Sequence, residues 1–211
     1  MSRTTPDIAE QNLRQESYGQ HGASPVDRFG VWLSSRSIRR SIRNRQNLDA
    51  LDLGCGYHSK LLRALRPKLK SGLGVDVQIS PEAKAEPGFT YLESSIEQAL
   101  PSLQASAFDL ILMISVLEHL WNPQDALNHC RRMLKPGGVL LLNVPTWSGK
   151  FFLEFSAFKL GTSPALEMDD HKMYYDKRDL WPMLVQAGFK PSAIHLKYHK
   201  FGLNLFATVK A

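Results

Sequence analysis

The hydrophobic and polar positions of this chain alternate between short, almost wholly apolar runs and longer mixed segments. Runs near Leu48 to Leu53, Ser71 to Val77, Phe89 to Leu92, Phe108 to Ile114 and Gly138 to Val144 have the length of strands buried on both faces, and their bounding turns fit. Segments near Ser59 to Leu65, Gln124 to Leu134 and Lys177 to Ala187 predict helices between them. Pro123 suits the first turn of its helix, and Gly188 suits the left-handed position just past the last one. Two late runs, Ser192 to Tyr198 and Leu203 to Val209, add a closing pair of strands. The alternation predicts an α/β fold: a doubly wound, Rossmann-like, seven-stranded sheet with helices on both faces.

Two segments stand outside that alternation. Ile38 and Ile42 lie four apart with Arg36, Arg39, Arg40, Arg43 and Arg45 beside them, after Phe29, Val31, Trp32 and Leu33. This spacing predicts an amphipathic helix that packs on the sheet and shows a basic outer face, making residues 1–46 an N-terminal helical extension to a domain over 47–211. Phe151, Phe152, Leu153, Phe155, Phe158 and Leu160 form the other segment, whose spacing is helical and apolar. Within 146–176 it predicts an insertion that closes as a lid over an acceptor pocket. Resting on a membrane surface is a weaker reading, because Glu154 and Lys159 supply little of the basic face that mode uses.

The chemistry concentrates in Leu51-Asp52-Leu53-Gly54-Cys55-Gly56-Tyr57-His58 and in Leu73-Gly74-Val75-Asp76-Val77. Gly54 and Gly56 allow positive φ and remove the Cβ atoms that would hold a ligand off the main chain, and the following helix points free N–H groups at the turn. Asp76, 24 positions after Asp52, stands near the interval at which an acid on the next strand accepts from both hydroxyls of a ribose. The spacing is not the GxGxxG of a diphosphate cofactor, and no Lys-Ser/Thr follows as a P-loop requires. An acid two residues before the first glycine suits a ligand with an ammonium group and no phosphate.

With that turn, Ala107-Phe108-Asp109-Leu110-Ile111-Leu112-Met113-Ile114-Ser115-Val116-Leu117-Glu118-His119-Leu120 and Arg132-Met133-Leu134-Lys135-Pro136-Gly137-Gly138-Val139 through Pro145, the chain resembles the class I S-adenosylmethionine-dependent methyltransferases. The resemblance runs from Leu48 to Ala211. It implies S-adenosylmethionine as cofactor and an antiparallel seventh strand. It also implies Asp52 near the methionine part, Gly54, Cys55 and Gly56 against the cofactor, Asp76 on the ribose, and Val77 and Ile96 on either face of the adenine. Ser95 takes the place where many relatives carry an acid for the adenine amino group, and Ser115 falls in the loop after the fourth strand. His58 replaces the third glycine of the family turn.

Methyl transfer to a hydroxyl needs a group that takes its proton. His119 and His171 are the candidates, with Asp169 or Asp170 placed to orient His171. Glu118-His119 as a loop-fixing pair, and His171 as a cap before the last helix, remain alternatives.

Composition adds bounds. At 211 residues and 43% hydrophobic content the chain can bury one substantial core. No apolar run approaches a membrane span, and the polar start lacks the core of a signal peptide, which points to a cytoplasmic protein. Cys55 and Cys130 have no metal-ligand spacing, so no metal is assigned. The net charge of +6 invites a nucleic-acid reading, but no RNA-binding module accompanies it, and a solvated basic face is the simpler account. The resemblance narrows to the broad subgroup with ubiquinone-type and polysaccharide-biosynthesis methyltransferases. It implies O-methylation of a small or lipid-linked metabolite, such as a sugar precursor or phenol-like acceptor. An RNA methyltransferase and a non-catalytic binding protein are the alternatives.

Overall fold

The computed structural model describes residues 25–150 and 171–211. Seven strands form one sheet: β1 (Leu48–Leu53), β2 (Leu69–Asp76), β3 (Phe89–Glu93), β4 (Phe108–Ile114), β5 (Leu134–Pro145), β6 (Ile194–His199) and β7 (Asn204–Lys210). Their order is β3-β2-β1-β4-β5-β7-β6. Strands β1 to β5 pair in parallel, and β7 runs antiparallel to both β5 and β6. The helices are α1 (Pro25–Ser41), α2 (Lys60–Leu65), α3 (Pro81–Lys84), α4 (Ile96–Ala99), α5 (Pro123–Met133) and α6 (Lys177–Gln186), and residues 147–150 are helical as well.

The near-continuous apolar strands follow from burial on both faces. On one face Leu51, Leu53, Ile111, Met113, Leu140 and Leu142 pack against Leu127 and Cys130 of α5 and Leu180 and Leu184 of α6. On the other, Leu48, Ala50, Leu110, Leu112, Val139 and Leu141 meet Leu62 and Leu65 of α2. Ile38 of α1 and Ile42 just after it, both fully buried, belong to this second layer and pack α1 on the sheet. Gly188 has φ +90 and its N–H donates to the Val185 carbonyl, ending α6.

β5 is much longer than the sequence predicts. β5 begins at Leu134 because Leu134 pairs with Phe108 ahead of the Pro-Gly-Gly turn, after which pairing resumes at Val139 with Leu110. There, at the amino-terminal end of the sheet, Lys135 Nζ joins Asp49 (2.6 Å) and Asp109 (2.9 Å). α3 and α4 are single turns of four residues, too short to show a helical period. Ser80 and Ser95 cap them, accepting from the N–H groups of Ala83 and Gln98.

In this order the chain reverses direction of travel between β1 and β4, so the crevice at their carboxyl ends is the topological switch point where ligands of open α/β sheets bind. Among the described residues, no helix is long and apolar enough to cross a membrane. The Phe-rich part of the expected lid, and Asp169 and Asp170, lie outside the described residues.

Candidate active site

The turn after β1 is held by backbone and by one carboxylate. Gly54 and Cys55 both donate to the Val75 carbonyl (2.8 and 3.2 Å), and Gly54 and Gly56 take φ of +74 and +73. A Cβ on Gly54 would lie 2.3 Å from Val116 Cγ2, so glycine is required there by space as well as by dihedral. Asp76 accepts from the N–H of Gly56 at 2.7 Å through Oδ2 and from that of Val77 at 2.8 Å through Oδ1. The carboxylate expected on a ribose therefore also splints the turn that would cradle the rest of the ligand. Val77 is exposed beside it, and Ile96 is half-buried at the start of α4. Ser95 Oγ, at the place where relatives carry an acid for the adenine amino group, also caps α4 (3.4 Å to Gln98 N). His58 lies edge-on to Tyr57. Ser115, at φ +57, donates its N–H to the Asn143 carbonyl at 2.8 Å at the end of β4.

Asp52 is buried, and its Oδ2 has no hydrogen-bond partner among the described residues. Burial, with a smaller contribution from Asp76, pushes its carboxyl up to about 8. Cys55 is buried too, and burial raises its thiol far above the ordinary range, reinforced by Asp52 and Asp76, which makes it a wall of the turn and not a nucleophile.

The two histidines, 52 positions apart in sequence, come together. Their ring centroids are 4.7 Å apart at an interplanar angle of 49°. His171 Nδ1 is 3.1 Å from Tyr174 OH, a partner the sequence reading missed although it stands one helical step away. Glu118 is buried with Oε2 unpartnered among the described residues, and burial lifts its carboxyl to about 7 against the opposing charges of His119 and Lys200. Its carbonyl accepts from Lys172 N at 2.8 Å, which ties the loop after β4 to the segment leading into α6. Ligand atoms of Glu118, His119 and His171 lie within 4.8 Å of one another, the one group among the described residues near enough to share a cation. Trp147 lines the same region, donating Nε1–H to Asp179 Oδ2 at 3.2 Å with its ring 5.7 Å from that of Tyr174.

Fold and glycine cradle together define a class I, Rossmann-like methyltransferase domain. A model of the methyltransferase domain family matches residues 27–194, and the chain belongs to that family of S-adenosylmethionine-dependent enzymes. It is 31% identical over 111 residues to a ubiquinone biosynthesis O-methyltransferase from Pseudomonas putida, covering 49% of this chain and 47% of the relative. It is 30% identical over 113 residues to a tRNA U34 carboxymethyltransferase from Pseudoalteromonas atlantica, covering 50% and 34%. The chain thus spans half or less of the length of these curated relatives. Among solved structures, a SAM-dependent methyltransferase from Archaeoglobus fulgidus superposes with a TM-score of 0.66 at 15% identity over 97% of this chain and 100% of the other. An N-methyltransferase from Bradyrhizobium japonicum in complex with S-adenosyl-L-homocysteine gives 0.63 at 17% identity, covering 97% and 98%.

The residues present fit S-adenosylmethionine. The unpartnered, buried Asp52 oxygen matches a ligand ammonium, and Gly54 and Gly56 at positive φ leave the main chain of the turn without side chains. Gly54→Ala is expected to weaken cofactor binding at least tenfold and to lower the unfolding temperature. It adds a left-handed alanine, costing about 1–2 kcal/mol, to an overpacked contact costing about 1–3 kcal/mol. Calorimetric titration and thermal unfolding measure the two effects; cofactor affinity equal to the parent's would remove the turn from the site.

Proposed function

We propose that the protein O-methylates a hydroxyl of a small or lipid-linked metabolite, with His119 and His171 handling the proton. The observation that carries this reading is the His119–His171 pair backed by buried Glu118, set at the carboxyl end of the sheet beside the glycine cradle. The cofactor supplies an activated methyl carbon on a sulfonium, whose C–S electron pair leaves with the sulfur. The chain's own work is to align the acceptor oxygen in line with that bond and to take its proton onto an imidazole as the O–C bond forms. Tyr174 orients the His171 ring from the side, and Trp147 and Tyr174 give the acceptor an apolar wall. Likeness to ubiquinone biosynthesis O-methyltransferases supports a hydroxylated acceptor.

Likeness to a tRNA-modifying enzyme favours an RNA acceptor as the second reading. The arginine helix gives it no support. Arg39 donates to the Ala64 carbonyl (3.3 Å) and Arg45 to that of Gly137 (3.1 Å), at the end of the sheet opposite the histidines. A groove for RNA uses cations beside the reacting base, and these two arginines are not there. Labelled methyl transfer is the test. Incorporation into a hydroxylated phenol or sugar precursor, absent in an Asp76→Ala variant, is the expected result. Incorporation into purified RNA at physiological salt, equally dependent on Asp76, would replace this reading with the second.

A further inference from the structure

Single exposed apolar residues are ordinary on a protein surface, but here four of them converge. Among the described residues Trp121 is 59% exposed, Met173 38%, Tyr198 46% and Phe201 93%. They come from four segments: the loop after β4, the approach to α6, the end of β6 and the β6–β7 turn. All four segments meet at the carboxyl end of the parallel strands, around the Glu118–His119–His171 cluster. Lysines accompany them. Lys172 Nζ sits 4.6 Å from the Trp121 ring centroid, Lys177 Nζ 5.1 Å from that of Tyr198, and Lys200 immediately precedes Phe201.

The Phe201 tip is built rather than frayed. Lys200, Phe201 and Gly202 have successive φ of +49, +59 and +88, and two of the three carry a Cβ, a conformation kept only where the surroundings enforce it. Buried Thr146 enforces it, donating Oγ1–H to the Gly202 carbonyl at 2.7 Å and its N–H to that of Leu203 at 3.0 Å. The tip is thereby fixed to the end of β5, and Lys200 is near enough to Glu118 for its charge to favour the carboxylate there.

Among the described residues, acids at this end are largely engaged. Glu97 accepts from Trp121 N, Asp179 from Trp147 and Asp176 N, and Asp125 faces His129. A protein partner would want a contiguous apolar centre depleted of charge. Aromatic side chains interleaved with lysines match the headgroup layer of an anionic bilayer instead.

We propose that this rim rests on an anionic phospholipid surface, with Phe201, Tyr198 and Trp121 in the headgroup layer and the lysines at the phosphates. A lipid-borne acceptor then reaches the histidine pair without leaving the bilayer. The inference rests on the lipid-linked form of the acceptor proposed above.

The test is co-sedimentation of the full chain with vesicles of phosphatidylcholine alone and with about one-third phosphatidylglycerol. The parent protein should partition onto the anionic vesicles only. Phe201→Asn combined with Trp121→Ser should reduce that partition by about tenfold or more, while calorimetric affinity for S-adenosylmethionine stays unchanged; asparagine tolerates the left-handed backbone at 201. Absence of binding to anionic vesicles, or binding that the double substitution leaves intact, overturns the proposal. Failure here with methyl transfer to a water-soluble acceptor preserved removes the docking surface alone. Vesicle binding without any methyl transfer removes the function proposed above and leaves the docking surface standing.

Discussion

Replacing His171 with alanine is expected to lower methyl transfer by roughly 10²-fold or more at saturating cofactor, because a positioned general base typically contributes 10²–10⁴-fold. Cofactor affinity should remain near that of the parent, since the cradle is formed by β1, β2 and their turns and His171 belongs to the segment before α6. The geometry gives His171 the stronger claim to direct proton transfer: Tyr174 OH, 3.1 Å from Nδ1, fixes the ring from one side. His119, 4.7 Å away, and Glu118 behind it stand ready to stabilise the charge that forms. Single-turnover kinetics of His171→Ala and His119→Ala, each with calorimetry of the cofactor, separate the roles. A large loss in His119→Ala with His171→Ala near normal transfers the base to His119. Near-normal turnover in both would leave orientation as the only contribution of this pair.

The pairing of those histidines shows where sequence reading stops. β1 and the glycine turn are legible because an apolar run, two glycines and an acid at fixed offsets are local signals, and β4 and α5 are legible for the same reason. The closing β6–β7 pair shows as two apolar runs, but its antiparallel direction comes from the family resemblance and not from the pattern. α3 and α4, four residues each, carry no period to read, and their serine caps are the only signal they have. The proximity of His119 and His171 is a tertiary fact: the loop after β4 is tied by the Glu118 carbonyl to Lys172 N, a bond between positions far apart in sequence. His171 reads in sequence as the neighbour of Asp169 and Asp170, whereas among the described residues its ring nitrogen meets Tyr174. Burial and an unpartnered oxygen of Glu118, set beside both imidazoles, are likewise invisible in the sequence.

Asp52 leads to a prediction about pH. Burial holds its carboxyl at about 8 against an ordinary 3.8, so the ligand-free fold keeps a proton that the unfolded chain releases. Stability from this group is therefore present at low pH, declines as pH rises from about 4 toward 8, and levels off above that. A ligand ammonium placed at Oδ2 reverses the preference and draws the carboxylate out, so binding of S-adenosylmethionine near pH 7 should release up to about one proton. Affinity should then rise with pH by up to about one log unit per pH unit until about 8. Above that it should fall, because the ligand's own α-amino group loses its charge at about 7.7–8.0. Calorimetry at pH 7 in two buffers of different ionisation enthalpy reads the proton release directly. Asp52→Asn should bind more weakly, release no proton and show no rise between pH 6 and 7.5, while the ligand-free variant unfolds at a higher temperature than the parent near pH 8. Parent affinity that stays flat from pH 6 to 8, with no dependence on buffer, would place the ligand ammonium somewhere other than Asp52.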